Sequence, residues 1–447
     1  MKNNPRAIAV DILNRIDETG SFAEPILDSH LAQDIFNNIH DRRLLTELVY
    51  GTLRMRGHLD WIIGELYSGR LKSLDTGIKN ILRTGLYQLT FTDRIPEFAA
   101  VDEAVKITKK RYPGRSGLVN AILRNAIRKK GEIEYPDIDK APSSHISIVH
   151  SHPLWLVERW LKIFGVEETL EICKADNKTP PLALRVNRLK TDRDEILKAL
   201  SDDGFTVRPA QFSPDGIILS HPPVPVRETK YYTMGHIQIQ DEASQLISHL
   251  VNPKPGEKII DICSGVGGKT THMAEMMQND GTILALDISH KKIGALKGMS
   301  KRLGATIIDT LVGDATLEPE KTLHGKFDRA LVDAPCSGLG TLRRNPEIKW
   351  RLLPEDLESF LPLQKKILKN AGHYLKRGGT LVYSTCTIMP EENEDVVATF
   401  LSDNPGFEKI NPTASISSKI IDDEGFFRTY PHRHGTDGFF GAVLVKK

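Results

Sequence analysis

The apolar positions of the N-terminal third follow the 3.6-residue period of an α-helix. Ile8, Ile12 and Ile16 fall on one face of the first such stretch, and the segment 116–130 repeats the stripe with Leu, Ile, Val and Ala. No good strand alternation interrupts these stretches. The pattern therefore predicts a compact all-helical domain over residues 1–140.

The pattern changes twice further along the chain. Short alternating stretches around one helix (LALRVN, DEILKALSDDG, FTVRPAQF and GIILS) predict a small α+β module of RRM type over residues 150–237. Strands and helices alternate from 238 to 447, which predicts βαβ units and a mostly parallel sheet covered on both faces. Ligands of such sheets bind outside the carboxyl ends of the strands.

The length of the chain and the spacing of its cysteines limit the classes of protein to which it can belong. The 447 residues suggest about three domains. The sequence has no run of about 18 apolar residues, so it predicts no membrane span. The N-terminus does not have the pattern of a signal peptide. Four widely spaced cysteines without a CxxC pair predict neither a zinc site nor a disulfide framework. We therefore expect a cytoplasmic protein without a structural metal.

Net charge is only +2, but its distribution is uneven. The segment from Ala104 to Lys130 contains nine Lys or Arg and no Asp or Glu. This basic run suggests a polyanion partner. A solvated helix face is the alternative interpretation.

A glycine-rich turn, DICSGVGGKT (261–270), joins the first strand of the C-terminal region to its first helix. Its glycines let the backbone turn tightly and approach a ligand. Asp287 follows at the end of the next strand, where a carboxylate can accept both hydroxyls of a ribose, and Asp314 stands at the third strand end. Together these positions predict a site for an adenosine-containing ligand.

Other interpretations of this turn share part of the pattern. A Walker A loop would need glycine where Cys263 stands, although the Gly-Lys-Thr that ends the turn matches it. A dinucleotide loop would need glycine in place of Thr270. The turn could also be structural and bind no ligand.

Two cysteines stand at strand ends of the same region. Cys336 in VDAPCSGLG and Cys386 in YSTCTIMPEENED each follow a predicted strand. Because a thiolate is a strong nucleophile near neutral pH, two thiols beside an adenosine site suggest nucleophilic catalysis. Cys173 lies on a predicted helix, where a cysteine is usually a small core hydrophobe.

Several long motifs resemble the Sun family of S-adenosylmethionine-dependent RNA cytosine-5 methyltransferases. They are, in order, QDEASQL, CSGVGGKT, DAPCSGLGTLRRNPEIKW, YSTCTIMPEENE and HGTDGFFGA. The N-terminal region is similar to the NusB RNA-binding fold that precedes this domain in some members. One departure is that the family usually has Ala-Ala-Pro where Ser264, Gly265 and Val266 stand. The resemblance implies a class I, Rossmann-like methyltransferase domain over 238–447.

The resemblance also implies roles for the strand-end residues. Cys386, in the Thr-Cys motif, would attack carbon 6 of cytosine, and Cys336, in the Pro-Cys motif, would assist release of the adduct. Asp333 would hold ring nitrogen 3 and the amino group. The residues alone leave the roles of the two thiols open. The implied S-adenosylmethionine contacts are Cys263, Ser264, Gly265, Val266, Gly267, Gly268, Lys269, Asp287, Asp314 and Asp333. The expected RNA contacts are Arg343, Arg344, Asn345, Lys349 and Trp350.

The expected protein is thus a monomeric enzyme that methylates carbon 5 of a cytosine in small-subunit (16S) ribosomal RNA. The same chemistry on transfer RNA is one alternative. A NusB-like RNA-binding factor with a vestigial catalytic domain is another. A nicotinamide oxidoreductase would share the sheet and Asp287 but has no use for two strand-end thiols.

Overall fold

The computed structural model describes residues 4–32, 38–220, 222–412 and 416–447. The chain divides into two compact units, which we call unit 1 and unit 2. Unit 1 combines Met1–Thr179 with Leu342–Leu352, and unit 2 combines Pro180–Thr341 with Leu353–Lys447.

Helices dominate unit 1, and strands occur in unit 2. The α-helices are α1 (Pro5–Thr19), α2 (Ala23–Leu31), α3 (Ile39–Arg54), α4 (Arg56–Leu66), α5 (Thr76–Phe91), α6 (Glu97–Arg111), α7 (Ser116–Arg128), α8 (Pro142–Val149), α9 (Leu154–Asp176), α10 (Arg193–Asp202), α11 (Lys230–Thr233), α12 (Glu242–Val251), α13 (Gly268–Met276), α14 (His290–Leu303), α15 (Ile348–Arg351), α16 (Pro354–Tyr374), α17 (Glu394–Asp403) and α18 (Pro431–His434). The strands are β1 (Leu182–Val186), β2 (Thr206–Pro209), β3 (Gly216–Ser220), β4 (Ile237–Ile239), β5 (Lys258–Ile262), β6 (Thr282–Asp287), β7 (Ile308–Val312), β8 (Phe327–Asp333), β9 (Leu375–Thr385), β10 (Phe407–Ile410), β11 (Phe427–Arg428) and β12 (Phe440–Lys446). Short 3₁₀ turns occupy Leu71–Ser73, Val226–Glu228, Lys321–Leu323, Pro390–Glu392 and Ser418–Ile420. None of the α-helices described is both long enough and apolar enough to cross a bilayer.

The predicted amphipathic helices form the core of unit 1. On α1, Ile8, Ile12 and Ile16 are buried, and they share a core cluster with apolar residues of α3, α5, α6 and α7. The side chain of Asn4 caps α1 by accepting hydrogen bonds from two main-chain N–H groups of the first turn, and Gly20 ends the helix in a left-handed conformation. The prediction of an all-helical N-terminal domain is confirmed for the described residues.

The basic run from Ala104 to Lys130 lies on α6, on α7 and on the segments that follow them. Most of its Lys and Arg side chains are exposed. Three of the cations pair with acids of unit 1: Lys106 with Asp102, Arg111 with Asp11, and Lys130 with Glu97. Exposed ion pairs of this kind contribute little stability. The role of the basic surface stays a prediction.

A four-stranded antiparallel sheet with α10 and α11 forms the small module of unit 2. Its strand order is β2-β3-β1-β4. Three of the strands and α10 coincide with the predicted stretches, whereas β4 was not predicted as a separate strand. β4 is only three residues long, and its pairing with β1 depends on tertiary structure.

The large sheet of unit 2 has the order β10-β12-β9-β8-β5-β6-β7, with β11 paired to β12. Neighbouring residues of its central strands point to opposite faces. Ile259 and Leu331 lie in one core cluster, and Ile260 and Val332 lie in another. The predicted sheet with two covered faces is confirmed. It is mixed, because β12 lies antiparallel between β9 and β10.

Candidate active site

Five parallel strands of the large sheet end at one edge. The residues predicted to carry the chemistry stand at these ends: Cys263 follows β5, Asp287 ends β6, Asp314 follows β7, Asp333 ends β8 and Cys386 follows β9. The topology thus gathers residues that are far apart in the sequence.

The glycine-rich turn between β5 and α13 has an unusual backbone. The φ angles of Cys263, Gly265 and Gly267 are 64°, 59° and 90°. A Cβ atom at Gly267 would lie 2.6 Å from Cγ of Leu296, so any side chain there would clash. Main chain without a side chain is therefore required at Gly267, where the turn packs against α14.

Two carboxylates line the next two strand ends. Asp287 is buried, and its carboxylate oxygens accept hydrogen bonds from the main-chain N–H groups of Gly265 and Ser289, at 2.9 and 2.8 Å. Asp314 is exposed and accepts a hydrogen bond from the main-chain N–H of Thr316, which lowers the pKa of its carboxyl. Asp287 thus fixes the glycine-rich turn and retains lone pairs for a ligand.

A buried arginine of the small module supports the first turn of α13. Arg185 on β1 donates hydrogen bonds to the main-chain carbonyl of Gly268 (2.6 Å), to Oγ1 of Thr271 (3.1 Å) and to Oε1 of Glu275 (2.8 Å). The side chains of Arg185 and Glu275 are both fully buried. We did not predict this role from the sequence. The available signal was a charged residue inside an otherwise apolar strand, LALRV.

The two strand-end thiols face each other. Sγ of Cys336 lies 3.3 Å from Sγ of Cys386, and both side chains are half-buried. The hydrogen bond with Cys386, and secondarily burial, raise the pKa of the Cys336 thiol well above its ordinary value. Cys336 therefore keeps its proton and can share it with the sulfur of Cys386.

Asp333 stands beside the thiols and is held from two sides. Its carboxylate accepts hydrogen bonds from Nζ of Lys269 at 2.7 Å and from Oγ of Ser384 at 3.0 Å. Burial alone would lower the pKa of the Lys269 ammonium, but the charge of Asp333 outweighs burial and the net shift is upward. Lys269 thus remains a cation and orients the carboxylate.

The acidic stretch after Cys386 contains a buried support for the Cys336 loop. The carboxylate of Glu392 accepts hydrogen bonds from the main-chain N–H of Ser337 at 2.9 Å, from the hydroxyl of Ser337 at 2.5 Å and from Nε2 of Gln364 at 3.1 Å. In the sequence, Glu392 is only one of four acids that follow Pro390. The structure places it in a 3₁₀ turn, where it fixes the residue after Cys336.

Two glycines bring the Cys336 loop against the C-terminal HGTDGFFGA motif. The N–H of Gly340 donates to the carbonyl of Cys386 at 2.9 Å, and the N–H of Gly438 donates to the carbonyl of Gly340 at 2.8 Å. A Cβ atom at Gly340 would lie 2.0 Å from the carbonyl oxygen of Gly438. Only main chain fits between these segments.

We expect Gly340→Ala to lower the free energy of unfolding by at least about 1–3 kcal/mol, because the new methyl group must displace main chain on both sides. Urea denaturation measures this loss. Gly298→Ala is the matched control: Gly298 lies in α14 with open space around its Cα, so alanine is expected to be neutral or slightly stabilising. Equal unfolding midpoints for Gly340→Ala and the wild type would contradict the close packing.

The other two cysteines, Cys263 and Cys173, lie outside the pair formed by Cys336 and Cys386. Burial raises the pKa of the Cys263 thiol to about 12, so this group stays protonated in the turn. Cys173 on α9 is fully buried in unit 1, as expected for a core hydrophobe.

The five residues expected to contact RNA lie in Leu342–Leu352, which belongs to unit 1. Lys349 is 1% exposed, and its ammonium donates to the carbonyls of Arg54 and Ser151 and to Oδ1 of Asn177, at 2.9–3.0 Å. Burial lowers the pKa of this ammonium to about 7. In this position Lys349 anchors its own segment and does not present its charge to a phosphate.

The other four residues differ in exposure. Arg343 is buried, whereas Arg344, Asn345 and Trp350 are half-buried. The indole N–H of Trp350 donates to the carbonyl of Leu53 at 2.7 Å. Arg344, Asn345 and Trp350 therefore remain partly accessible, and their contact with RNA stays a prediction.

Family models match three parts of the chain. The model of the 16S rRNA methyltransferase RsmB/F matches residues 248–445. The NusB family model matches residues 3–128, and the RsmF/B-like ferredoxin-like domain matches residues 152–227. The predicted order of domains is confirmed: a NusB-like domain comes first, a small module follows, and a methyltransferase domain comes last.

Similarity to known proteins extends over the whole chain. A probable ribosomal RNA small subunit methyltransferase B of Bacillus subtilis is 34% identical over 453 residues, covering 100% of this chain and 99% of the relative. The ribosomal RNA small subunit methyltransferase B of Photorhabdus laumondii is 36% identical and covers 100% of both. The crystal structure of PH0851 superposes with a TM-score of 0.83 at 30% identity, covering 99% of each chain. The chain therefore belongs to the RsmB/F family of 16S rRNA methyltransferases.

Proposed function

We propose that this protein methylates carbon 5 of a cytosine in 16S ribosomal RNA, with S-adenosylmethionine as the methyl donor. The observation that carries the proposal is the pair of thiols, Cys336 and Cys386, 3.3 Å apart at the ends of adjacent strands with Asp333 beside them. The relatives named ribosomal RNA small subunit methyltransferase B support 16S rRNA as the substrate.

The glycine-rich turn fits an adenosine-containing cofactor. The hydroxyl of Ser264 is buried and has no hydrogen-bond partner among the described residues, which is the state expected of a group that a ligand satisfies. We infer that Asp287 holds the ribose and that Asp314 holds the adenine amino group. The turn 263–269 would contact the methionine part. When bound, S-adenosylmethionine supplies an electrophilic methyl group.

The thiols then have separate tasks. Carbon 5 of cytosine is a weak nucleophile until a sulfur adds to carbon 6 and makes carbon 5 enamine-like. We assign this addition to Cys386. After methylation the proton of carbon 5 passes to water and its electron pair restores the double bond between carbons 5 and 6. The bond between carbon 6 and the sulfur of Cys386 breaks at the same time, with the electron pair on sulfur. Cys336, which keeps its proton, is placed to donate it to the leaving sulfur.

Asp333 can select and activate the base. Lys269 and Ser384 hold its carboxylate at the end of β8. A carboxylate there can accept hydrogen bonds from the protonated ring nitrogen 3 and from the amino group of cytosine, and the proton on nitrogen 3 neutralises the negative charge that develops when sulfur adds. The target base must be unpaired or extruded from its helix to reach the thiols. Because both thiols must be reduced, the chemistry fits the cytoplasm.

We expect Asp287→Ala to weaken S-adenosylmethionine binding by about 2–4 kcal/mol, because two charge-assisted hydrogen bonds to the ribose are lost. Isothermal titration calorimetry measures the affinity. Asp309→Ala, which removes an exposed acid of β7, is the control and should bind as the wild type does. Binding of Asp287→Ala within a factor of two of the wild type would refute the ribose assignment.

The proposal is tested by incubating the full-length protein with S-adenosylmethionine and either 16S rRNA or transfer RNA, then identifying methylated nucleosides by mass spectrometry. We expect 5-methylcytidine in 16S rRNA. Product in transfer RNA alone would support the alternative substrate. Absence of product from both RNAs would indicate an RNA-binding factor with a vestigial catalytic domain.

A further inference from the structure

Unit 1 contains a cavity of about 530 Å³ at which four helices end. The residues that line it come from the C-terminal parts of α3 and α5 and from the segments at the ends of α8 and α9. They include Glu47, Arg54, Tyr87, Phe91, Lys174 and Lys178. The cavity is part of neither the strand-end edge nor the basic run on α6 and α7.

One wall of the cavity is aromatic. The rings of Tyr87 and Phe91 stack with centroids 5.4 Å apart. Phe91 is 39% exposed, which is unusual for a phenylalanine in a helix of a domain core. An aromatic face in a cavity can bind a nucleobase by stacking, and such stacking tolerates any base.

The charged lining is mainly basic. Arg54, Lys174 and Lys178 contribute three cations, and Glu47 contributes one acid. Lys174 and Lys178 are exposed, whereas Arg54 is 7% exposed. Lys174 also pairs with Glu171 at 2.8 Å, but exposed pairs of this kind are weak and a phosphate can replace the partner.

Arg54 is the buried polar group of the lining. Its Nη2 donates to the carbonyl of Arg343 at 3.0 Å, and this bond fixes the guanidinium. Its Nε is buried and has no hydrogen-bond partner among the described residues. A buried donor without a partner is costly, so a polar ligand group at this place would stabilise the site.

The partial charges of the helix ends determine which group of a ligand would enter the cavity. The C-terminal end of a helix carries partial negative charge and main-chain carbonyls without intrahelical partners. This partial negative charge favours donors, such as the amino groups of bases and the 2′-hydroxyl of ribose, over a buried anion. A phosphate belongs instead beside the exposed Lys174 and Lys178.

We infer that this cavity binds one unpaired nucleotide of the RNA substrate, with the base against Phe91 and Tyr87 and the adjoining phosphates on Lys174 and Lys178. The inference rests on the proposed function, since it takes RNA as the substrate. It assigns unit 1 a contact with single-stranded RNA, which would tether a substrate whose target cytosine must itself be unpaired.

The test measures the affinity of the full-length protein for a fluorescein-labelled, single-stranded 12-nucleotide RNA by anisotropy, at several salt concentrations. Phe91→Ala should bind roughly tenfold more weakly, whereas Phe91→Tyr, which keeps the stacking face, should bind as the wild type does. The double variant Lys174→Ala/Lys178→Ala should also bind more weakly. The slope of log affinity against log salt should fall by about 1.4, because two phosphate contacts are lost.

Matched controls lie in unit 1 outside the cavity. Lys162→Ala removes an exposed cation of α9, and Phe98→Ala removes a phenylalanine of α6 that is 77% exposed. Both should bind RNA within a factor of two of the wild type. An unfolding midpoint in urea equal to that of the wild type shows that each variant is folded.

Two negative results are distinguishable. If the wild type binds the RNA and methylates 16S rRNA while the cavity variants bind no more weakly than the controls, the cavity does not bind RNA and the inference fails. If the wild type itself neither binds nor methylates RNA, the proposed function fails and the cavity inference fails with it.

Discussion

Cys386→Ala is expected to abolish methyl transfer, with a loss of roughly 10⁴-fold or more, because the sulfur to which we assign the addition at carbon 6 is lost. The variant should form no covalent complex with RNA. Its affinity for S-adenosylmethionine should not change, since Cys386 lies outside the glycine-rich turn that we assign to the cofactor. Methyl incorporation into 16S rRNA and denaturing electrophoresis of protein–RNA mixtures measure the two effects.

Cys336→Ala is expected to fail at the last step of the same reaction. Its Cys386 can still attack and the base can still be methylated, but the thiol that lies 3.3 Å from the leaving sulfur is absent. The variant should therefore accumulate a protein–RNA adduct that survives denaturing electrophoresis. Cys173→Ala is the control: this thiol is buried in unit 1, and its loss should neither stop turnover nor trap RNA.

The two cysteine variants together decide the roles of the thiols. A stable adduct on Cys386→Ala, and none on Cys336→Ala, would mean that the roles are reversed. Full activity of both variants would mean that neither thiol is covalently involved.

Arg185→Ala is expected to lower the free energy of unfolding by about 3–5 kcal/mol. The substitution leaves the carboxylate of Glu275 buried without its cation, and the carbonyl of Gly268 loses a hydrogen bond at 2.6 Å. Because Gly268 begins α13, S-adenosylmethionine affinity should also fall. Chemical denaturation and calorimetry measure the two losses.

An arginine of the same module provides the control. The side chain of Arg188 is 58% exposed and lies 3.4 Å from the carboxylate of Asp215. Arg188→Ala should lower the free energy of unfolding by about 1 kcal/mol or less, because Arg188 is mostly exposed and the buried carboxylate of Asp215 keeps its hydrogen bonds to His249 and His272. If Arg185→Ala were no more destabilising than Arg188→Ala, the buried network could not be what supports the turn.

The elements that the sequence predicted well are those whose signal is local. The stripe of Ile8, Ile12 and Ile16 predicts α1 because a helix needs only its own periodicity and a core to bury it. The strand ends at Cys336 and Cys386 were likewise predicted, and parallel pairing of β8 with β9 brings them together. Local pattern combined with one rule of sheet topology was sufficient for the fold around the thiols.

The features that were missed depend on partners far away in the sequence. Lys349 stands among Arg and Lys residues and was interpreted as an RNA contact, yet its three acceptors lie 172–295 residues away and enclose its ammonium. Glu392 looks like any acid at a helix start until its contacts with Ser337 and Gln364 are known. A charged side chain carries no local sign of whether such acceptors or donors exist.

The same contacts limit how unit 1 can be tested. Deleting residues 1–140 would remove Arg54 and Leu53, to which Lys349 and Trp350 donate hydrogen bonds. The deletion would then remove contacts that hold the segment Leu342–Leu352, as well as the basic run on α6 and α7. Single substitutions in the cavity of unit 1 avoid this ambiguity.

Release of tritium from 16S rRNA labelled at carbon 5 of its cytosines shows whether carbon 5 is the atom that receives the methyl group. Substitution at carbon 5 must expel the hydrogen of that carbon, so we expect one tritium released to water for each methyl group transferred from S-adenosylmethionine. Cys386→Ala should release none. Methyl transfer without tritium release would place the methyl group on another atom and contradict the mechanism.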